Sequence, residues 1–303
     1  MWFKNLAVYR FSENFTLTPD IFEQKLSQHQ FRPCAPHDET SFGWTSPLGK
    51  ASEMLLHSAN GFTLFCAKKE EKLIPSTVIN EMLQEKIAEI EEKEARKLPR
   101  KETGRIKDEL IFELLPRAFS FSKKTYAYID RQNGWLVVDA ASPKKAEDLL
   151  SLLRKSLGSL AVTPVASQLA PAKVMTEWLL TNAYPGDIQI EDECELRSQE
   201  EEAAIIRCKR QDLALPEIKN HLDGGKQVIK LALNWGDRLA FVLDEHLAVK
   251  RLKFLDLVQE QAAEIDAADE VERFDADFSI MTGELAQFLP RLLEFFNGET
   301  EVR

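Results

Sequence analysis

The sequence predicts an α+β fold with antiparallel sheets, and three observations lead to that class. The 303 residues are 44% hydrophobic and 29% charged, which is enough apolar material for one large core or several small ones. Apolar segments rich in β-forming residues follow one another across short turns, which favours antiparallel pairing. Amphipathic segments with apolar residues three and four positions apart lie between them and predict helices.

The first elements are a strand, a short helix and a second strand. Residues 2–11 are rich in β-forming residues and predict the first strand. Thr18 and Pro19 are typical of an N-cap and a first helical position, so a helix is expected from there to about Gln28. Residues 61–67 form an apolar run that predicts the second strand.

The longest helical pattern of the chain runs from Pro75 to about Leu98. Pro99 and Gly104 are predicted to break it, and a second amphipathic helix is expected to end at Pro116. Both helices have a narrow apolar stripe, so they are predicted to form a protruding helical hairpin rather than a buried pair.

After Pro116 the apolar period becomes that of strands. Asn133-Gly134 is predicted to close a β-hairpin, and Ser142 is predicted to cap a helix that ends at Gly158. The remaining predicted elements are a strand at 161–165, strands near 187–190 and 203–209, a helix at 215–222, a three-stranded meander over 228–254, an acidic helix, a strand at 274–281 and a helix at 283–296.

Charge is segregated along the chain. The formal net charge is −11, from 39 Lys and Arg against 50 Asp and Glu. Residues 1–168 contain 24 basic and 22 acidic residues, and residues 169–303 contain 15 and 28, so the two parts carry +2 and −13. Residues 93–107 alone contain seven basic and two acidic residues. Because a polyanion meets only the face presented to it, the acidic total does not exclude nucleic acid as a partner.

Motifs for catalysis, metals and cofactors are weak. Gly224-Gly225-Lys226 lacks the frame of a phosphate-binding loop, and the five histidines have no metal-ligand spacing. No metal and no cofactor is therefore predicted. The four cysteines are far apart in sequence, lack any C-x-x-C pairing and are expected to be isolated reduced thiols; they are Cys34, Cys66, Cys194 and Cys208.

A metal-dependent nuclease is the alternative that these motifs leave open. It would combine Asp20 with an E-x-K triplet at residues 70–72 or 91–93. Asp20 is predicted in the first turn of a helix and Glu91 in the middle of one, whereas metal-dependent cleavage needs convergent carboxylates. An enzyme is therefore the weaker class.

Basic and aromatic residues are combined over residues 93–124. Basic side chains beside Phe119 and Phe121 suit a phosphate backbone, with rings free to stack on bases. The alternative is that both rings face the core and the basic residues form a solvated helix face. Residues 207–212 are a second basic candidate, in which Arg207 and Lys209 share one strand face or an ordinary exposed edge.

Nine segments, in order along nearly the whole chain, resemble the family of recombination-associated proteins RdgC. The segments are Trp2–Arg10, Ala67–Lys72, Leu114–Ser120, Lys144–Asp148, Leu153–Leu160, Lys209–Leu213, Leu252–Phe254, Arg273–Phe278 and Met281–Leu285. The resemblance implies a ring-shaped homodimer that encircles duplex DNA and also binds single-stranded DNA, in both cases without sequence preference. It further implies functional antagonism of RecA in recombination and a cytoplasmic, nucleoid-associated protein. No apolar run approaches the roughly 18 residues needed to span a bilayer, so no membrane partner is expected.

The resemblance also implies a domain organisation. Residues 1–75 and 117–170 would form a central domain, residues 76–116 a tip with the helical hairpin, and residues 171–303 a base domain with an acidic C-terminal segment. The family's tip aromatic, which engages the partner subunit at the gate of the ring, matches Phe119. The basic-Gln pair implicated in the base domain matches Arg210-Gln211, with Arg where Lys is also common.

The candidate site combines these basic residues with the dimer gate at Phe119. The predicted DNA-binding side chains are Lys68, Lys69, Arg96, Lys97, Arg100, Lys101, Arg117, Lys123, Lys124, Lys209, Arg210 and Gln211. The leading hypothesis is a non-catalytic DNA clamp. The nuclease is the second, and an adaptor that touches RecA through an acidic surface is the third.

Overall fold

A computed structural model describes residues 1–200 and 203–300 and places them in two antiparallel sheets with packed helices, which confirms the α+β class. The first sheet has the strand order β2-β4-β5-β6-β1-β7, and β3 pairs with the part of β4 that β2 leaves free. Its strands are β1 (Ala7–Phe11), β2 (Thr40–Thr45), β3 (Leu56–Ala59), β4 (Phe62–Leu73), β5 (Phe119–Asp130), β6 (Trp135–Val138) and β7 (Val162–Pro164).

Two helices cover one face of this sheet, α1 (Pro19–Ser27) and α4 (Pro143–Leu157). The hydroxyl oxygens of Thr18 and Ser142 accept hydrogen bonds from the first turns of α1 and α4, so both predicted N-caps are confirmed. The indole N–H of Trp44 donates to the Ser156 hydroxyl at 2.8 Å and ties the sheet to α4 through a buried hydrogen bond.

The second sheet has the order β12-β11-β10-β8-β9, and β9 is an edge strand. Its strands are β8 (Ile188–Arg197), β9 (Ile205–Lys209), β10 (Gln227–Trp235), β11 (Leu239–Asp244) and β12 (Val249–Phe254). The predicted meander is confirmed, and Gly236 and Asp237 form its first turn with positive φ. The helices of this half are α5 (Pro171–Thr181), α6 (Pro216–Asp223), α7 (Asp256–Ala263) and α8 (Glu270–Glu294).

The long helix α8 replaces the predicted strand at 274–281, and that prediction is wrong. Phe278, Met281, Leu285 and Phe288 are spaced three and four apart, and all four are buried. The Asp269 carboxylate accepts hydrogen bonds from the first turn and fixes where the helix begins. Over residues 274–281 alone the apolar residues resemble the alternation of a strand, but over the longer segment they follow the period of a helix.

One hydrophobic cluster joins the two sheets through α8. Phe3 and Tyr128 of the first half pack in the same cluster as Phe278, and the two Tyr128 pairs have ring centroids 5.6 and 6.4 Å apart. Leu6 and Val249 exchange backbone hydrogen bonds of 2.8 and 3.1 Å between the halves. The predicted boundary between central and base domains near residue 171 stays a prediction, because the two halves share this core.

The segment between β4 and β5 contains α2 (Ser76–Glu94) and α3 (Arg100–Leu114), which contact each other. Ala95, with φ of 49°, ends α2, and Pro99 in extended backbone precedes α3. Gly104 lies within α3, so the predicted break at that residue is wrong. Only Ile79 of α2 and Leu110 of α3 are buried. Whether the two helices protrude as a hairpin stays a prediction.

The structure adds two strands, β2 and β3, that the sequence did not predict, and it extends β4 well beyond residue 67. In the part of the chain that the structure describes, no helix combines the length and the apolar character needed to cross a membrane.

Candidate nucleic-acid interface

Four lysines meet where β4 and β5 extend together towards α2 and α3. Lys68 is the register partner of Lys124, and Lys69 is the register partner of Lys123. We call these four residues the lysine ribbon. Like charges directly opposite each other destabilise a sheet. The ribbon therefore concentrates positive charge at a cost in stability, on both faces of the sheet where β4 lies between β2 and β5.

One ion pair offsets part of that charge. The Lys69 ammonium lies 2.6 Å from the Glu71 carboxylate, and the hydrogen bond from Lys69 lowers the pKa of Glu71. Within residues 1–200 and 203–300, the other three ribbon lysines have no carboxylate within 4.0 Å. Their ammonium charge is thus available to an anionic ligand.

Those three ammonium groups lie near aromatic rings. A cation over a ring face is attracted by the ring quadrupole, which orients the side chain without neutralising its charge. The distances from Nζ to ring centroid are 4.3 Å for Lys68 over Phe31, 5.1 Å for Lys123 over Phe121 and 6.0 Å for Lys124 over Tyr126.

Large apolar side chains are exposed at the end of the ribbon. Phe119 is 87% exposed and faces its register partner Leu73, which is 56% exposed. Phe121 is 37% exposed. Arg117, in the short 3-10 helix that ends two residues before Phe119, is also exposed. The alternative that Phe119 faces the core is therefore wrong, and its ring lies at the surface beside Leu73.

The second group of predicted basic residues surrounds the connection between α2 and α3. Arg96 donates to Glu94 and to Glu102, each at 2.7 Å, and these contacts, with the Glu102 hydrogen bond the largest, raise the pKa of the guanidinium. Lys97 lies 3.6 Å from a Glu91 oxygen. Half of this group is therefore ion-paired within the chain.

Arg100 and Lys101 belong to the same group and occupy the first turn of α3, where both are exposed. A helix N-terminus carries partial positive charge, so basic side chains there add to a field that attracts anions. Basic residues at this position lower the stability of α3 and favour the binding of phosphate.

Lys209, Arg210 and Gln211 lie at the end of the edge strand β9, on the second sheet. Lys209 is 3.9 Å from a Glu193 oxygen, and Arg210 is exposed in left-handed backbone with φ of 53°. The Gln211 side-chain amide donates to the Glu217 carboxylate. The Arg210 guanidinium thus reaches solvent, while Gln211 is held by α6.

Five basic side chains line an open cavity of about 340 Å³ on the second sheet, and most of them were not predicted. We call this cavity the basic pocket. Its charged residues are Arg207, Lys209, Lys230, Lys250 and Arg251, with Glu193 and Glu195 between them. Single lysines in apolar strands look like ordinary solvent-facing positions, so only the pairing of all five strands reveals the cluster.

Ion pairs within the basic pocket fix its side chains. Arg251 donates to Glu193 and lowers the pKa of that carboxyl. Burial raises the pKa of Glu195, but hydrogen bonds from Lys230 at 3.0 Å and Arg207 at 3.1 Å outweigh it, and the net shift is downward. The pocket has more basic than acidic residues and remains attractive to anions.

The structure thus brings some predicted site residues together and leaves others apart. The lysine ribbon and Phe119 form one contiguous segment, Arg96 to Lys101 form a second group, and Lys209 to Gln211 lie on the other sheet beside the basic pocket. Among the residues that the structure describes, no group of three His, Cys, Asp or Glu side chains is placed to hold a metal ion.

Comparison with known proteins assigns the family. Residues 1–299 match the family model described as "Putative exonuclease, RdgC". The chain is 52% identical over 299 residues to the "Recombination-associated protein RdgC" of Tolumonas auensis and 50% identical over 301 residues to that of Aeromonas hydrophila, covering 99% of both chains in each case. The protein of the same name from Pseudomonas aeruginosa PAO1 is 46% identical over 300 residues, covering 99% of this chain and 98% of that one. The chain therefore belongs to the RdgC family of recombination-associated proteins.

Proposed function

We propose that this protein is a non-catalytic, sequence-independent DNA-binding protein that encircles duplex DNA as a ring-shaped homodimer and restrains RecA-dependent recombination. The observation that carries the proposal is the lysine ribbon. The ribbon holds two like-charged pairs in register, and three of its four ammonium groups have no carboxylate within 4.0 Å among the residues that the structure describes. A polyanionic ligand that offsets the repulsion explains this arrangement.

The character of the basic side chains supports binding without sequence preference. Lysine is a point charge that suits phosphate, whereas base readout depends on bidentate donors placed in a groove. Contacts of this kind position a duplex or a single strand equally well, so both are proposed ligands. An association with the nucleoid follows from the same property.

The exposed ring of Phe119 supports the homodimer. An aromatic side chain that is 87% exposed beside the exposed Leu73 suits burial against a second copy of the chain. We propose that Phe119 closes the ring at the tip formed by α2 and α3. The basic groups flanking it would then face the enclosed duplex, which couples closure of the ring to DNA binding.

The proposed ring makes a topological prediction. A circular duplex inside a closed ring cannot leave sideways, whereas a linear duplex slides out at its ends. We expect complexes formed on a nicked circular plasmid to survive a rise in salt that releases the same plasmid after linearisation, for plasmids of unrelated sequence. Equal release from both forms would contradict encirclement, and affinity that does not fall with salt would contradict phosphate binding.

Nuclease activity is the second candidate function, because the description of the matching family model names an exonuclease. Incubation with end-labelled linear duplex and Mg²⁺ or Mn²⁺ separates the two functions. Cleavage that copurifies with the protein would overturn the non-catalytic proposal. DNA that stays uncut when it is present in molar excess over the bound protein would support the non-catalytic proposal.

The third candidate function is an adaptor that inhibits RecA by direct contact through an acidic surface, without binding DNA. If variants of the lysine ribbon that no longer bind DNA still inhibit strand exchange by RecA, restraint acts by direct contact. Loss of inhibition in parallel with loss of DNA binding supports the DNA-based proposal.

A further inference from the structure

Two of the four cysteines face each other across neighbouring strands. Cys194 of β8 is the register partner of Cys208 of β9, and both thiols are free. The expectation of isolated thiols is therefore wrong for this pair, because β-pairing joins residues far apart in sequence. Cα atoms of directly opposite residues in an antiparallel pair are about 4.5–5.5 Å apart, which falls within the roughly 4.4–6.8 Å that disulfides span.

The strands around this pair are held in register from the opposite face. Glu193 pairs with Lys209 and Glu195 with Arg207, one residue to either side of the cysteines on each strand. Side chains alternate between faces, so the thiols lie on the other side, next to the hydrophobic core. Strand slippage would break both ion pairs, so the two sulfur atoms stay opposite each other.

The two thiols differ in access. Cys194 is 2% exposed, whereas Cys208 is only partly buried and packs against the same hydrophobic cluster. Burial raises the pKa of Cys194 to about 12, and the charge and hydrogen bond of Cys208 add to that effect, as expected for thiols in contact. An oxidant therefore reaches Cys208 first.

We propose that Cys194 and Cys208 are a modification site that closes to an intramolecular disulfide when the protein meets a small-molecule disulfide such as oxidised glutathione. Cys208 attacks the small disulfide, releasing one thiol and leaving a mixed disulfide. The Cys194 sulfur then attacks the Cys208 sulfur, and its proton passes to the departing sulfur, which is released as the second thiol. Two protein thiols are oxidised and one small disulfide is reduced to two thiols, so atoms and electrons balance.

The cross-link would fasten the edge strand that carries Lys209 and leads into Arg210 and Gln211. Closing a loop of about 15 residues restricts local opening, and exchange of β9 amide hydrogens through strand detachment should slow by on the order of a hundredfold. Cβ atoms of opposite residues are about 4.5–5.5 Å apart and approach further on closure. A thiol reductant such as dithiothreitol should reverse the bond by thiol–disulfide exchange.

The test uses the full-length folded protein and oxidised glutathione, followed by alkylation, proteolysis and mass spectrometry. We expect a linked peptide containing Cys194 and Cys208 that disappears after dithiothreitol, together with slower hydrogen exchange in β9. Cys34 and Cys66 serve as internal controls, because neither has a cysteine register partner in the described sheets. Cys208→Ser should abolish the cross-link and Cys34→Ser should leave it unchanged.

Three results would overturn this assignment. They are a stable mixed disulfide at Cys208 that never resolves, glutathione on Cys34 while Cys194 and Cys208 both stay reduced, and linked Cys194 in the Cys208→Ser variant. None of these readouts depends on DNA binding or on dimerisation, so the proposed function can fail without affecting this inference.

Discussion

At the scale of single residues, we expect Lys123 and Lys124 to have opposite effects on folding and on function. Each faces another lysine in register and so weakens the sheet, whereas in the proposed function each contacts the phosphate backbone. Exposed lysines elsewhere, such as Lys155 of α4 and Lys173 of α5, have no such partner in the sheet.

We therefore expect Lys123→Gln combined with Lys124→Gln to weaken DNA binding while raising stability. If both lysines contact phosphates, the slope of log K against log salt should fall by about 1.8 on duplex. Removing two like-charged pairs should raise the free energy of unfolding by roughly 0.2–1 kcal/mol per pair. Salt titration and urea unfolding measure the two effects, and Lys155→Gln with Lys173→Gln is the control that removes equal charge. A loss of binding no larger than in that control would contradict the role of the ribbon.

Phe119 offers a second prediction at this scale. Because the ring is 87% exposed, Phe119→Ala should change the free energy of unfolding by less than about 0.5 kcal/mol. If the ring is buried in the dimer, its dissociation constant should rise on the order of tenfold or more, as sedimentation measures. Met54→Ala, which truncates another largely exposed apolar side chain, is the matched control. An unchanged dimer constant in the Phe119 variant would contradict a latch.

At the scale of elements, Asp187 ties the start of β8 to the end of α8. Its carboxylate accepts hydrogen bonds from Arg291 at 2.8 and 3.0 Å and from the Trp235 indole at 3.1 Å. The Arg291 hydrogen bond makes the largest contribution to lowering the pKa of Asp187, and the indole bond adds to it. The contribution to stability is therefore complete above the unfolded value of about 4 and is lost as pH falls through the lower folded value.

Asp187→Asn should accordingly reduce stability at neutral pH and flatten the loss of stability below about pH 4. Urea unfolding between pH 2 and 7 measures both. A variant whose stability falls with acid as steeply as that of the parent chain would show that other carboxylates control the acid transition.

An element could be predicted from the sequence when the residues that determine it are neighbours along the chain. The caps at Thr18 and Ser142 and the turn at Gly236-Asp237 depend on a few neighbouring residues, and the structure confirms them. The end of β4 depends on pairing with β5 across the whole α2–α3 insertion, so its charged residues gave no strand signal. Lys230, Lys250 and Arg251 of the basic pocket were missed for the same reason, because the pocket is lined by residues of five paired strands.

At the scale of the whole molecule, the net charge of −11 averages over surfaces of opposite character. The positive groups lie on the ribbon, at the start of α3 and in the basic pocket, whereas residues 256–277, which we call the acidic segment, contain nine acidic residues and one basic residue. We infer that the acidic segment directs DNA towards the basic groups by repelling it elsewhere. Replacing acidic residues of α7 with Gln should then increase aggregation of the protein on DNA at low salt, which light scattering measures. The same change should slow dissociation from DNA only to a smaller extent.

The contact between the two halves also dictates when the chain can finish folding. Leu6 pairs with Val249, and the backbone N–H of Phe3 donates to the Met281 sulfur, so these residues are held by residues that are synthesised more than 240 positions later. Contacts of such long sequence separation form slowly, because the loop between them must close first. We therefore expect the face of the first sheet that contains Phe3 and Tyr128 to stay exposed during synthesis until α8 has left the ribosome. A nascent chain stalled before residue 270 should bind a chaperone that recognises exposed hydrophobic segments, whereas the finished protein should not bind it.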